Sequence, residues 1–167
     1  MRECNQGGYE RVQRKLTLKE WVNVFIISMV ASVGLNLLLT VIDLPRFSPA
    51  YQDAVKTLYA PPFVQQLLIV GIVCPVFEEL LFRGIAFRLL RKTLSFFWAG
   101  MISAIIFGLY HGNLVQFVYA GILGVLLAYF YEKYESILVP VVSHITMNIL
   151  VLIITKMNGF IWMLQKY

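Results

Sequence analysis

Leu67-Leu-Ile-Val-Gly-Ile-Val-Cys-Pro-Val-Phe-Glu78-Glu79-Leu-Leu-Phe-Arg83 is an apolar run that ends in two adjacent acids and, four residues after the second, an arginine. An ionised group at bilayer depth costs at least about 2.5–3.5 kcal/mol. A membrane helix that carries two carboxylates therefore needs a use for them. Glu79 and Arg83 share a helix face, acid first, in the favourable ion-pair order. Glu78 points about 100° away around the helix and is left free of that pair. The plainer reading is a cytoplasmic helix end whose charges reach toward headgroups, but Arg88, Arg91 and Lys92 already mark a later boundary.

The surroundings of this stretch set the class. The chain has 167 residues, 59% hydrophobic and 14% charged, against about 45–50% and about 25% in soluble domains. Several apolar segments approach the roughly 20 residues that cross about 30 Å of hydrocarbon. The expected fold is all-α, a polytopic transmembrane helix bundle of about five spans with a four-helix core. The spans are expected over 21–42, 63–91, 94–110, 114–131 and 137–155. Domain organisation follows: a cytoplasmic segment over 1–20, the first transmembrane helix and its loop over 21–61, the core domain over 62–155 and a tail over 156–167.

Local signals support these bounds. Thr17-Leu18-Lys19-Glu20 has the capping-box pattern that opens a helix. Asp43-Leu-Pro-Arg-Phe-Ser-Pro49 breaks the first span, residues 50–60 read as an interfacial or loop segment, and Pro61-Pro62 opens the next helix. Polar residues precede the first apolar run, which lacks a small-x-small cleavage site, so that run reads as a retained anchor and not a signal peptide. Gly100, Ala104, Gly108 and Gly112, then Ala120, Gly124 and Ala128, recur every four residues. Such stripes let helix backbones approach closely in lipid.

The net charge of +5 does not point to nucleic acid, because Lys and Arg lie between the apolar runs and form no stripe with aromatics. With the N-terminus cytoplasmic, Arg2, Arg11, Arg14, Lys15, Lys19, Arg83, Arg88, Arg91, Lys92 and Lys133 face inward. Arg46, Lys56, Lys156 and Lys166 face outward, a positive-inside pattern that suits the cell membrane. Cys4 and Cys74 fall in a polar segment and an apolar helix, a poor pair for a disulfide.

The two histidines, His111 and His144, lie at or inside apolar helices. Phe107 and His111 share a face, as do His144 and Asn148, and His and Asn so placed can donate to a developing oxyanion in a dry cavity. A desolvated Glu78 beside a second carboxylate suits a general base. At 1.5 Å per residue, Glu78, His111 and His144 lie roughly 20, 25 and 12 Å from their cytoplasmic turns, so they converge only if helices tilt or start deeper. Pro140 is a place for that adjustment. Soluble hydrolase, P-loop and dinucleotide motifs do not occur.

Glu78-Glu79-x-x-x-Arg83, Phe107-x-x-x-His111 and His144-x-x-x-Asn148, in that order on successive helices, resemble the three motifs of the CAAX protease and bacteriocin-processing family, also called CPBP or Abi. The resemblance covers roughly residues 62–155. It implies an intramembrane endopeptidase acting on a membrane-associated protein or peptide. By the same resemblance Glu78 with His111 activates water, His144 and Asn148 form the oxyanion site, and Glu79 and Arg83, with Phe107, support them from behind. Members are often labelled metalloproteases. A zinc held by Glu78, His111 and His144 and a metal-free Glu/His-activated water both remain open. Larger relatives have several spans before the core where this chain reads as having one, which leaves room for a homodimer.

Two other classes stand beside this one. A non-catalytic immunity or interaction protein would use the same scaffold to bind a toxin peptide or a partner in the bilayer. A proton-linked transporter would use the Glu and His residues as a relay, but the chain shows neither an inverted repeat nor paired broken helices.

Overall fold

The computed structural model describes residues 15–165, with side chains to residue 157. It is a bundle of helices, with no strand among the described residues. Helix α1 spans Leu18–Val41 and opens on the expected capping box: the Thr17 hydroxyl accepts the Glu20 N–H, and the Glu20 carboxylate accepts the Thr17 N–H at 2.9 Å. The helix thus begins three residues before the expected 21, where the cap places it. Asp43, at φ 54°, ends the run, and a 3₁₀ turn covers Leu44–Phe47.

The segment read as interfacial or loop is helical: α2 spans Pro49–Tyr59, with proline in its first turn. Proline is pre-organised at that position because the first N–H groups of a helix need no intrahelical partner. A long helical run, α3, covers 63–90 and contains the decisive stretch. Helix α4 spans Phe96–Tyr110, α5 Leu114–Tyr134 and α6 Leu138–Gln165. The last helix continues well past the expected end at 155. Nothing after Thr155 stops it, since an isolated glycine such as Gly159 costs a helix only about 1 kcal/mol.

Helix α3 is not regular. Residues 69–73 and 80–87 are π-helical and flank the α-helical turn Cys74–Glu79. Pro75 accounts for the first widening. It has no N–H for the Gly71 carbonyl and its ring crowds that carbonyl, and the preceding Cys74 N–H reaches back five residues to Ile69 O. The distortion expected at Pro140 is therefore found in α3. Pro140 itself lies in the first turn of α6, where a missing N–H removes no hydrogen bond.

Helices α1, α5 and α6 are long and apolar enough to cross a membrane, and α4 is a shorter apolar helix of 15 residues. A helix that short rises about 22 Å, less than the hydrocarbon thickness of about 30 Å. Helix α5 is the centre of the bundle. Its Leu123 and Leu127 pack with Leu35 and Leu39 of α1 and Met147 of α6. Its Ala128 and Tyr131 pack with Phe87 of α3 and Ala99 of α4. Many large apolar side chains face outward, Val30, Leu37 and Leu109 among them, as expected where lipid is the solvent.

The small-residue stripes meet where α4 crosses α5. A Cβ added to Gly108 would fall 2.6 Å from Phe117 O, and one on Gly124 would fall 3.1 Å from Phe107 Cδ1. Ala104, Ala120 and Ala128 are buried. Two members of the expected stripe play other parts. Gly100 has nothing within 4 Å of an added Cβ, and Gly112 lies beyond the helix at φ +70°, where it turns the chain from α4 into α5. Hydrogen bonds tie α1 to its neighbours: Ser28 Oγ and Ser143 Oγ are 2.6 Å apart, and Ser32 Oγ and Tyr119 OH 2.8 Å.

Candidate active site

The α-helical turn between the two π segments points its two acids in different directions. Glu79 and Arg83 are fully buried and paired at 2.8 Å. The other arm of the guanidinium donates to Gly124 O at 2.9 Å. Gly124 is small because that arm and Phe107 occupy the space a Cβ would need. The Arg83 guanidinium also lies over the Phe107 ring, 4.6 Å from its centroid. Glu78, less deeply buried, lines a cavity of about 260 Å³.

His144, on α6, stands between the two acids. Its Nδ1 is 2.9 Å from Glu79 Oε1 and its Nε2 is 3.7 Å from Glu78 Oε2. A carboxylate can only accept, so Nδ1 carries the proton in this bond and Nε2 is the nitrogen turned toward Glu78. Glu79 Oε1 therefore receives both Arg83 and His144, while its Oε2 and the Arg83 Nε have no hydrogen-bond partner among the described residues.

His111 follows the last residue of α4, and its Nδ1 is 3.0 Å from Phe107 O. A carbonyl accepts, so Nδ1–H donates and Nε2 is left for other work. Gly112, at positive φ, and Asn113, which caps α5 by accepting the Gln116 N–H at 2.9 Å, fix the turn that carries this imidazole. The Phe107 ring packs edge-on against both imidazoles, with centroids 5.1 Å from His111 and 5.8 Å from His144. Asn148, one turn after His144, donates one N–H to Val70 O at 2.9 Å. Its second N–H is not used in that bond.

Glu78, Phe107, His111, His144 and Asn148 all line the one cavity, while Glu79 and Arg83 lie behind it. Sequence spacing separated these groups in depth, and the structure brings them together. The reading of Glu79 as a partner for Arg83 alone missed its bond to His144, a contact between residues 65 apart that helix-face arithmetic cannot supply. The cavity has further polar lining that the motif reading passed over: Asn36, Gln116 and Tyr119. Asn36 had a signal, being a polar amide in the middle of an otherwise apolar span. Outside the spans, burial pushes the Tyr51 phenol on α2, at the cavity wall, up.

Glutamate and imidazole donors suit zinc chemically. Among the described residues, however, no three His, Cys, Asp or Glu side chains are grouped so as to hold a metal ion. The bond to Glu79 takes His144 Nδ1 and leaves Nε2 turned toward Glu78, an arrangement that serves a metal-bound and a metal-free histidine alike.

The comparisons with known proteins converge on one family. The family model described as type II CAAX prenyl endopeptidase Rce1-like matches residues 60–150. The "Putative membrane peptidase YdiL" of Bacillus subtilis (strain 168) is 34% identical over 113 residues, which is 68% of this chain and 46% of that protein. The chain spans about half the length of this curated relative. No solved structure matches this chain.

Proposed function

The chain belongs to the type II CAAX prenyl endopeptidase Rce1-like family, and from that premise we propose that it is an intramembrane endopeptidase that hydrolyses a peptide bond in a membrane-associated protein or peptide. Glu78 takes one proton from a water whose other O–H donates to His111 Nε2, and the hydroxide formed attacks the scissile carbonyl carbon. The carbonyl oxygen becomes an oxyanion that accepts from Asn148 and from His144 Nε2–H; the proton on Nε2 is the one that His144 and Glu78 share before water binds, which leaves Glu78 ionised to act as the base. Glu78 then returns the proton to the leaving amine as the C–N bond breaks. Glu79 holds His144 by Nδ1, and Arg83 and Phe107 hold Glu79 and the ring stack in place.

The observation that carries this reading is the bridge: one imidazole, at 2.9 Å from a buried acid and 3.7 Å from a cavity-lining one. A carboxylate that orients a histidine toward a reacting group is a recurrent way to fix its tautomer. Positive-inside charge supports a cytoplasmic N-terminus. The test is to express wild type, Glu78→Gln and His111→Ala at matched levels in the native membrane and compare new peptide termini by mass spectrometry. Termini that vanish in both variants identify the substrate. Identical profiles in all three would overturn the peptidase reading.

A further inference from the structure

The family model matches from residue 60 onward, yet one side of the cavity is built from residues before it. Leu39 and Thr40 come from α1, and Tyr51, Val55 and Leu58 come from α2. The last three recur at i, i+4 and i+7 and so share one face of that helix. Its other face carries Asp53 and Lys56, paired at 3.0 Å and three-quarters exposed. An amphipathic helix normally closes its apolar face on a core. Here no residue of α2 is fully buried, because the apolar face meets the cavity that also holds Glu78, His111 and His144.

The helix is nonetheless held. Gln66, buried on α3, donates its Nε2 to Tyr59 O at 3.1 Å and to Pro61 O at 2.7 Å, which ties down the last residue of α2 and the turn after it. A fixed apolar wall over a site with the chemistry on its opposite side is a surface for choosing side chains.

The geometry points to α2 as the specificity wall of this site: Tyr51, Val55 and Leu58 select an apolar side chain of an extended peptide, next to the bond attacked at Glu78. This inference rests on the peptidase reading above. Val55 lies at the centre of the wall, so its volume sets how large a side chain fits. In a hydrophobic pocket a change of that kind shifts relative kcat/KM by roughly tenfold or more.

The experiment uses the full chain, purified in detergent, with a proteome-derived peptide library as the probe and cleavage sites read by mass spectrometry. Val55→Ala is expected to move the preference at one substrate position toward larger apolar side chains, and Val55→Trp toward smaller ones, each by about tenfold in relative kcat/KM. Asp53→Ala, on the outer face, keeps the wild-type profile. Cleavage that depends on Glu78 but keeps the same profile in both Val55 variants overturns the inference and leaves the peptidase reading standing. Should Val55→Trp fail to fold, Val55→Ala and Leu58→Ala decide the matter by the same criterion. Absence of cleavage by wild type, or cleavage that persists in Glu78→Gln, overturns the peptidase reading and this inference with it.

Discussion

His144 and Glu79 are 65 residues apart in the chain and bonded at 2.9 Å inside the bundle, with the Glu79 side chain wholly buried. Because the same Glu79 oxygen also holds Arg83, a single carboxylate couples the fold of α3 to the orientation of an imidazole on α6.

Breaking that pair from one side leaves an uncompensated buried charge. Glu79→Leu or Arg83→Leu alone should each cost about 3–5 kcal/mol of stability, while the double variant should cost clearly less than their sum. Thermal unfolding in one detergent measures all three. A double variant as unstable as the sum would show that the two residues act independently.

The glycines of α4 should separate by what lies over them. Gly108→Ala puts a methyl 2.6 Å from Phe117 O and should destabilise by about 1–3 kcal/mol. Gly100→Ala meets nothing within 4 Å and should stabilise by about 0.4–1 kcal/mol, chiefly by restricting the unfolded chain. Equal unfolding temperatures for the two variants would refute the close-approach account of the α4–α5 contact.

If Asn148 donates its second N–H to the oxyanion, Asn148→Ala should lower kcat about 10²–10³-fold with KM little changed. Kinetics on any peptide found by terminal profiling provides the measurement. A variant that changes only KM would assign Asn148 to substrate binding instead.

Gln66→Leu removes the donor to both Tyr59 O and Pro61 O and should cost about 1–3 kcal/mol. Hydrogen exchange should rise over 49–59 and stay at wild-type levels in α5. No change in α2 exchange would mean that the helix is held by other contacts.

Much of this molecule was legible before any coordinate. The apolar runs marked α1, α3, α4 and α5 to within a few residues and the start of α6, though not its end, since a helix in lipid must satisfy its backbone internally and needs a set length. Thr17 and Glu20 marked the start of α1, because a capping box is a contact between near neighbours in the chain. The failures were also local in kind. Residues 49–59 carry too few apolar residues to look like a span, and their helical pattern went unread between two proline-containing turns. Gly112 fitted a four-residue spacing by count, although the backbone needed it for a positive φ.

The sequence by itself determined the membrane helix class, the order of the helices and the identity of the few polar groups inside them, because composition, length and spacing along a helix are local properties. Tertiary structure alone decided that His144 joins Glu79 to Glu78, that α3 widens on both sides of the two acids, and that α1 and α2 wall the cavity. Those outcomes depend on helix tilt, depth and crossing, which arise from packing between residues far apart in the chain and leave no periodic trace within any one helix.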